Sequence, residues 1–313
     1  MKTRILTFLC LLIYLQPLNA AEQGFSVFAD VLYWNTSEQT DGMWSSVITF
    51  PKPGKSDFTP DNIHFNSNVG ARGGLGYQAK NNLWDAKLFW TYMPASTEEK
   101  RPVGDQLILP EFFSGFVSKD AFIGADIEWQ LIMNMVELEV GHSFNITPSF
   151  SLHPTLGIKG GTINQWIDAD WKGLLFNSTE KVNQHYFGIG PNFGVDAKWK
   201  IYQGLSIAGD FAVAFMWGRW DIDDTYKRPA ALLGIIPQTT IKTSMDDTEL
   251  GTLMIDYFLG LEYAHQGRSD VIFKLGYEMQ YWANQLRIPT FQQLPLHGDL
   301  TLQGGTCGIY INL

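Results

Sequence analysis

Cysteine is nearly absent, with two residues in a chain of 313. Cys10 lies in an apolar leader and leaves with it, so Cys307 remains alone; one thiol closes no internal disulfide, which excludes a disulfide-stapled scaffold. Beyond the leader there is no run of about 18 apolar residues, so a membrane-crossing helix is excluded as well. Cations are short: 22 Lys and Arg against 32 Asp and Glu leave a net charge of −10. Phosphate backbones need clustered Lys and Arg, so nucleic acid is excluded as a partner. No phosphate-cradling glycine loop, zinc-ligand spacing or dinucleotide fingerprint occurs, and no cofactor is expected. Charged residues make up only 17%, while aromatics reach 14%, with 11 Trp and 30 Gly. Soluble domains of this size carry more charge and less Trp.

The first residues read as a secretory leader. Lys2 and Arg4 form a positive start, Ile5 to Leu15 an apolar stretch too short to span a bilayer, and Leu18-Asn19-Ala20 a cleavage site between Ala20 and Ala21. Residues 1–20 are therefore expected to be a signal peptide and 21–313 a single domain, since no connecting segment approaches independent folding size.

The mature sequence alternates with period two in ten segments: 24–35, 68–78, 83–93, 129–143, 150–163, 186–199, 205–217, 249–263, 271–282 and 300–313. In the first, Phe25, Val27, Ala29, Val31 and Tyr33 share a face opposite Ser26 and Asp30. In the second, Val69, Ala71, Leu75 and Tyr77 stand opposite Asn68, Gly70, Arg72, Gly74 and Gly76. A face of Gly, Asn and Arg is no soluble core. Soluble strands run about 5 to 6 residues, whereas a tilted strand crossing a bilayer needs about 9 to 11. Connections alternate between short (79–82, 144–149, 200–204, 264–270) and long (36–67, 94–128, 164–185, 218–248, 283–299). That is the arrangement of an all-β, closed antiparallel transmembrane barrel with short periplasmic turns and long extracellular loops. Ten strands close without an orphan edge, and twelve do so if 44–50 and 112–123 form a further pair. Aromatics near the strand ends (Tyr33, Trp34, Trp84, Trp90, Tyr92, Trp129, Tyr186, Trp199, Tyr202, Trp217, Tyr281, Trp282) read as two interfacial girdles.

The C-terminus, Thr306-Cys307-Gly308-Ile309-Tyr310-Ile311-Asn312-Leu313, resembles the signal read by the barrel-insertion machinery, with Gly308, Ile311 and Leu313 as its marks. Leu313 departs from the usual final Phe. The segments Phe28-Ala29-Asp30-Val31-Leu32-Tyr33-Trp34, His153-Pro154-Thr155-Leu156-Gly157-Ile158-Lys159-Gly160-Gly161, Phe187-Gly188-Ile189-Gly190-Pro191-Asn192-Phe193-Gly194-Val195-Asp196 and Gly204-Leu205-Ser206-Ile207-Ala208-Gly209-Asp210 resemble the Legionella-type major outer membrane protein family. The resemblance implies a pore-forming, surface-exposed barrel in the outer membrane, in contact with its lipid and lipopolysaccharide. These are strand and turn signatures, so they speak to fold more than to solute.

Alternation assigns to the interior Asp30, Arg72, Asp85, Lys87, Glu137, Glu139, Lys159, Asp196, Lys198, Asp210, Asp256, Glu262, Lys274 and Glu278. A Lys or Arg on the lipid side at midplane costs about 2–4 kcal/mol, which leaves the lumen. Two readings stand side by side: a narrow polar conduit for ions and small hydrophilic solutes, cation-preferring because acids outnumber bases, or a lumen filled by cross-strand ion pairs. A non-conducting barrel whose long loops bind host or surface partners is the alternative function. Carboxylates at Asp168 and Asp170, at Asp221, Asp223 and Asp224, and at Asp246, Asp247 and Glu249 match no calcium-loop spacing and read as solvated loop surface, so no metal is assigned. Hydrolysis would need a base beside a nucleophile. Ser151 and His153 share a face and His297 lies near Asp299, but neither pair has an identifiable third partner, and no catalytic residue is assigned.

Overall fold

The computed structural model describes residues 24–38, 44–61, 63–79, 83–265, 270–290 and 296–313. The leader, with Ala20 and Ala21, lies outside them. Among the described residues, fourteen strands, one α-helix and a 3-10 turn at Leu232–Gly234 occur, the strands and α-helix in the order β1 (Gly24–Glu38), β2 (Ser45–Lys52), β3 (Lys55–Asp61), β4 (Ser67–Gln78), β5 (Trp84–Arg101), β6 (Leu107–Pro110), α1 (Phe113–Ser118), β7 (Gly124–His142), β8 (Phe144–Asn145), β9 (Phe150–Lys172), β10 (Asn177–Tyr202), β11 (Leu205–Arg228), β12 (Thr239–His265), β13 (Val271–Ile288) and β14 (Leu296–Asn312). All pairings in the main sheet are antiparallel. Its order β10-β11-β12-β13-β14-β1-β4-β5-β7-β9 returns from β9 to β10, so ten strands close into a ring. The first and last strands seal it, from Ser26 opposite Asn312 to Glu38 opposite Leu300.

A belt of outward apolar side chains circles the half of the barrel nearest the short turns. Val31, Leu75, Leu88, Val136, Leu138, Leu156, Ile158, Ile189, Phe193, Phe211, Leu259, Leu261 and Leu275 are each about half exposed there. Side chains of this kind hold a position facing water only at a cost, and a position facing hydrocarbon at a gain. The belt marks the membrane. Ile309, Ile311 and Leu313 stand on this outer face at the end of the last strand.

Above the belt the strands continue, and here the expected loops are corrected. β10 and β12 reach 26 and 27 residues, and the connections at residues 173–176 and 229–238 are all that remain of the segments expected as long loops at 164–185 and 218–248. The alternation persists with inverted sense. In β9 the inward residues pass from Thr155 and Lys159 to Ile163, Ile167 and Trp171, while the outward ones pass from Leu156 and Ile158 to Asp168 and Asp170. In β11, outward Phe215 and Trp217 give way to Arg219, Asp221 and Asp223, and inward Asp210 to Trp220 and Ile222. Below, hydrocarbon is outside; above, water is outside and the apolar phase is inside.

That inner apolar phase is supplied by the connections after β1 and β5. β2, β3 and β6 form a separate three-stranded sheet; its buried end, at Ser45, Ser46 and Asp61, joins β6 and α1 as a plug in the upper barrel, while the hairpin from Thr49 to Pro60 is exposed. The pair at 44–50 and 112–123 therefore adds no barrel strands; the number is ten. Trp44 and Phe122 stack on Trp171 at 5.7 Å each, and Phe65 meets Trp129 edge-on at 5.7 Å. Trp34, Trp129, Tyr186 and Trp282, expected in the girdles, are fully buried here instead. Each sits one position out of phase with the lipid face, and strand-end location alone does not register phase. Tyr33, Trp84, Trp90, Trp199, Tyr202 and Trp217 do face outward. Gly188 and Gly218 leave the space the Tyr186 ring occupies, since a Cβ at either would collide with that side chain.

An outward charge should therefore be expensive only inside the belt. In reversible urea unfolding from phospholipid vesicles, Leu138→Arg is expected to cost about 2–4 kcal/mol, and Ser244→Arg, exposed above the belt, less than about 0.5 kcal/mol. Equal costs at the two positions would contradict the placement of the membrane.

Candidate functional site

Within the belt the barrel encloses a cavity of about 850 Å³. Gly24, Gln78, Ser143, Ser151, Asp270 and Asn312 rim it at the short-turn end, and it reaches upward to Glu137, Asp256, Phe258 and Glu278. The inward positions one step higher are Leu32, Met93, Met135, Ala214 and Met254, all buried. These close the cavity toward the plug. The space is a polar vestibule open on the periplasmic side and sealed on the outer side by a methionine-rich layer.

Of the residues that alternation assigns to the interior, Arg72, Asp85, Lys87, Glu137, Glu139, Asp196, Lys198, Asp210, Asp256, Glu262, Lys274 and Glu278 line this cavity. Asp30 and Lys159 point inward too but are buried in the packed wall, at 2% and 3% exposure. The register places Asp30 beside Arg72 and Glu137 beside Lys159, and the other pairs form between strands that are not neighbours. Arg72 lies opposite Asp30 across β1 and β4 and donates to it at 3.4 Å, while its other nitrogen bonds Glu278. Lys159 pairs with Glu137 at 3.0 Å, Lys274 with Asp210 at 2.6 Å, Lys87 with Asp196 at 3.7 Å, and Lys198 with Glu262. Gly308 leaves room for the Asp30 carboxyl, since a Cβ there would meet its Oδ1.

His153, Asn192 and Thr306 belong to the same network, although alternation singled out only charges. The imidazole of His153 lies between Asp85 at 2.7 Å and Asp196 at 3.0 Å, so neither nitrogen is free to take a proton from Ser151. Asn192 donates to Glu139 at 3.1 Å and also to Glu137. Thr306 donates to Glu278 at 2.8 Å and accepts from the Trp34 indole at 3.2 Å. His142 and Ser143 separate as expected: the ring packs on Trp84, and Ser143 lines the cavity. Asp299 is absorbed by structure, accepting from Tyr281 and from the Asn284 amide.

The carboxylates expected in loops divide by face. Asp221 and Asp246 are exposed and directly opposed across β11 and β12, with Asp223 beside them. Asp224 and Asp247 turn inward, and Asp224 holds the plug. Asp224 accepts from the Ser114 amide at 2.7 Å, Glu180 accepts from the Gly115 amide and from Trp171 at 3.0 Å, and Arg287 pairs with Asp247 while lying 3.7 Å from the Trp220 ring. Burial raises both carboxyls that meet α1. Asp224 is pushed up to about 6, and Glu180 rises further because Asp224 also repels its charge. Burial raises Glu111, which bonds Ser46 inside the plug, as well. The neighbouring charges, Asp120 and Arg228, neutralise each other at 2.5 Å.

Two expectations follow. Lys159→Met strands Glu137 in the wall and should destabilise the barrel by about 3–5 kcal/mol, most of which the double variant Lys159→Met, Glu137→Leu recovers; additive losses in urea titrations would count against the pairing. The second concerns pH. A carboxyl raised in the docked state stabilises docking fully below its ordinary value of about 4 and loses that contribution as pH rises through the docked value. Proteolysis of 111–123 in intact vesicles should therefore increase as pH rises through about 6, and Asp224→Asn should remove the step. A plug released at acidic pH would contradict this.

Residues 18–312 match the family profile described as Legionella pneumophila major outer membrane protein precursor. A search of curated protein sequences finds no match. Among solved structures, the outer membrane protease OmpT from Escherichia coli aligns at 9% identity over 95% of this chain and 99% of that one, with a TM-score of 0.47. A major outer membrane protein from Thermus thermophilus aligns at 12% identity over 93% and 99%, with a TM-score of 0.35. A Pseudomonas aeruginosa FadL homologue aligns at 10% identity over 93% and 90%, with a TM-score of 0.28.

Proposed function

Since the chain belongs to the Legionella major outer membrane protein family and folds as a closed ten-stranded barrel, we propose that it is a narrow, cation-preferring pore for ions and small hydrophilic solutes, held closed at its outer end by the plug. The observation that carries this reading is the cavity at membrane depth, lined by charged side chains. Ionisable groups at that depth are expensive, and where they occur they mark ion and solute paths. A barrel serving only as a scaffold fills the same space more cheaply with apolar side chains. Lining carboxylates outnumber lining Lys and Arg, which favours cations. Opening requires displacement of α1 and β6 and repacking of the methionine layer beneath them, with the barrel backbone in place.

The dry plug is also the observation that favours a second reading. A barrel that never conducts keeps its tall, water-facing wall and outer hairpins as a surface for partners, and its lumen is then structural.

Planar bilayer recordings separate the two. The wild type should show infrequent, small, cation-selective steps. Gly115→Ala places a methyl group against the Glu180 carboxylate and the Pro110 ring, an overpacking cost of about 1–3 kcal/mol that should raise the open fraction about 5- to 150-fold. Silence in both proteins, each inserted and folded, would overturn the pore and leave the surface reading.

A further inference from the structure

The vestibule holds more than charge. Phe28, Phe89, Phe258 and Tyr310 contribute rings to its lining. Phe28 stacks on Tyr310 at 4.8 Å and tilts against Phe89 at 5.9 Å. The ammonium of Lys274 rests 3.8 Å from the centroid of the Phe258 ring, so one ring of this lining already receives a cation. Aromatic faces and carboxylates together are the recognition chemistry of organic ammonium and guanidinium groups.

The cations built into the wall do not satisfy all of its acids. Arg72, Lys87, Lys159, Lys198, Lys274 and His153 are each engaged by carboxylates. Among the described residues, no ion pair reaches Glu139 or Asp256. Glu139 takes an amide hydrogen from Asn192 at 3.1 Å, and Asp256 one from Gln280 at 2.9 Å. Each keeps acceptor capacity directed at the cavity, whose volume of about 850 Å³ falls within the range of small-molecule sites. Access is from the short-turn mouth, because the methionine layer closes the other end.

We propose that this vestibule is a saturable binding site for small organic cations, alkylamines or guanidinium compounds, taken from the periplasmic side, with Glu139 and Asp256 as the carboxylates that receive them. The inference rests on the lumen of the pore reading, but binding in a closed vestibule does not require conduction. The ligand's charged nitrogen replaces the missing counter-cation, and its alkyl stem lies along the Phe28, Phe89 and Phe258 rings.

The test is titration calorimetry on the full mature protein in detergent, with putrescine as the probe and 1,4-butanediol and succinate as matched controls. Putrescine should bind saturably and more weakly as salt rises, and neither control should give saturable heat. Glu139→Gln and Asp256→Asn, both close in shape to the native residues, should each weaken putrescine about tenfold or more. A folded-barrel gel shift on heating verifies each variant. Absence of saturable heat, equal binding of butanediol, or unchanged affinity in both folded variants overturns the proposal. Saturable binding by a barrel that is silent in bilayers would sink conduction alone, and conduction without binding would sink this site alone.

Discussion

A backbone amide in hydrocarbon has no water to bond, and every other feature of this protein follows from where that rule applies and where it stops. It forces the strands into a ring without edges, so β1 must find β14 as well as β4. Once the ring is closed, each strand has an inside and an outside, and side chains sort by what lies on each face. In the belt the outside is lipid, and the inside is free to be polar. Arg72, Lys159 and Lys274 sit there because the lumen offers carboxylate partners that the lipid cannot.

The same ring, continued beyond the membrane, is sorted by different solvents. Water on the outside permits Asp168, Lys181 and Asp223, and the interior must then supply a core of its own. A barrel this narrow cannot fill its upper half from wall side chains alone, so the connections after β1 and β5 fold inward and bring Trp44, Phe65, Phe112 and Phe122 to the Trp and Tyr side chains of the wall. The boundary between charged vestibule and dry core is a layer of Met93, Met135 and Met254, flexible side chains suited to an irregular surface that faces charge on one side and aromatics on the other. Among the charges above it, Glu180 and Asp224 pin the plug through α1, and Arg287 pairs with Asp247 within the wall.

Much of this was legible in the sequence, and the limits of its legibility are physical. Ten barrel strands could be read because lipid contact makes alternation strong in one sense from Phe25 to Tyr33 and in every later crossing. Their upper halves could not, because from Ile163 or Trp220 outward the apolar phase changes sides, and a search for lipid-facing alternation ends where the pattern flips. Trp34, next to the lipid-facing Tyr33, shows that one residue of phase separates girdle from core. Interior charges were legible from alternation alone. Their pairing was not: Arg72 reaches Glu278 and Asn192 reaches Glu139 through a register and a curvature that no local pattern carries. Neutral members such as Asn192 and Thr306 offered no signal against the many polar residues of a barrel. The plug was hidden for the opposite reason, since its short apolar segments at 44–50 and 112–123 suit a barrel strand as well as an inserted one.

The claim on which the account stands is that the barrel continues past the membrane around a dry core. Hydrogen–deuterium exchange of the protein in vesicles tests it most directly, on the stretches 164–172, 177–185 and 219–228. The account predicts amide protection there comparable with the lipid-facing crossings at 187–199 and 205–217, lasting hours. Exchange of those amides within seconds, as in solvated loops, would contradict it.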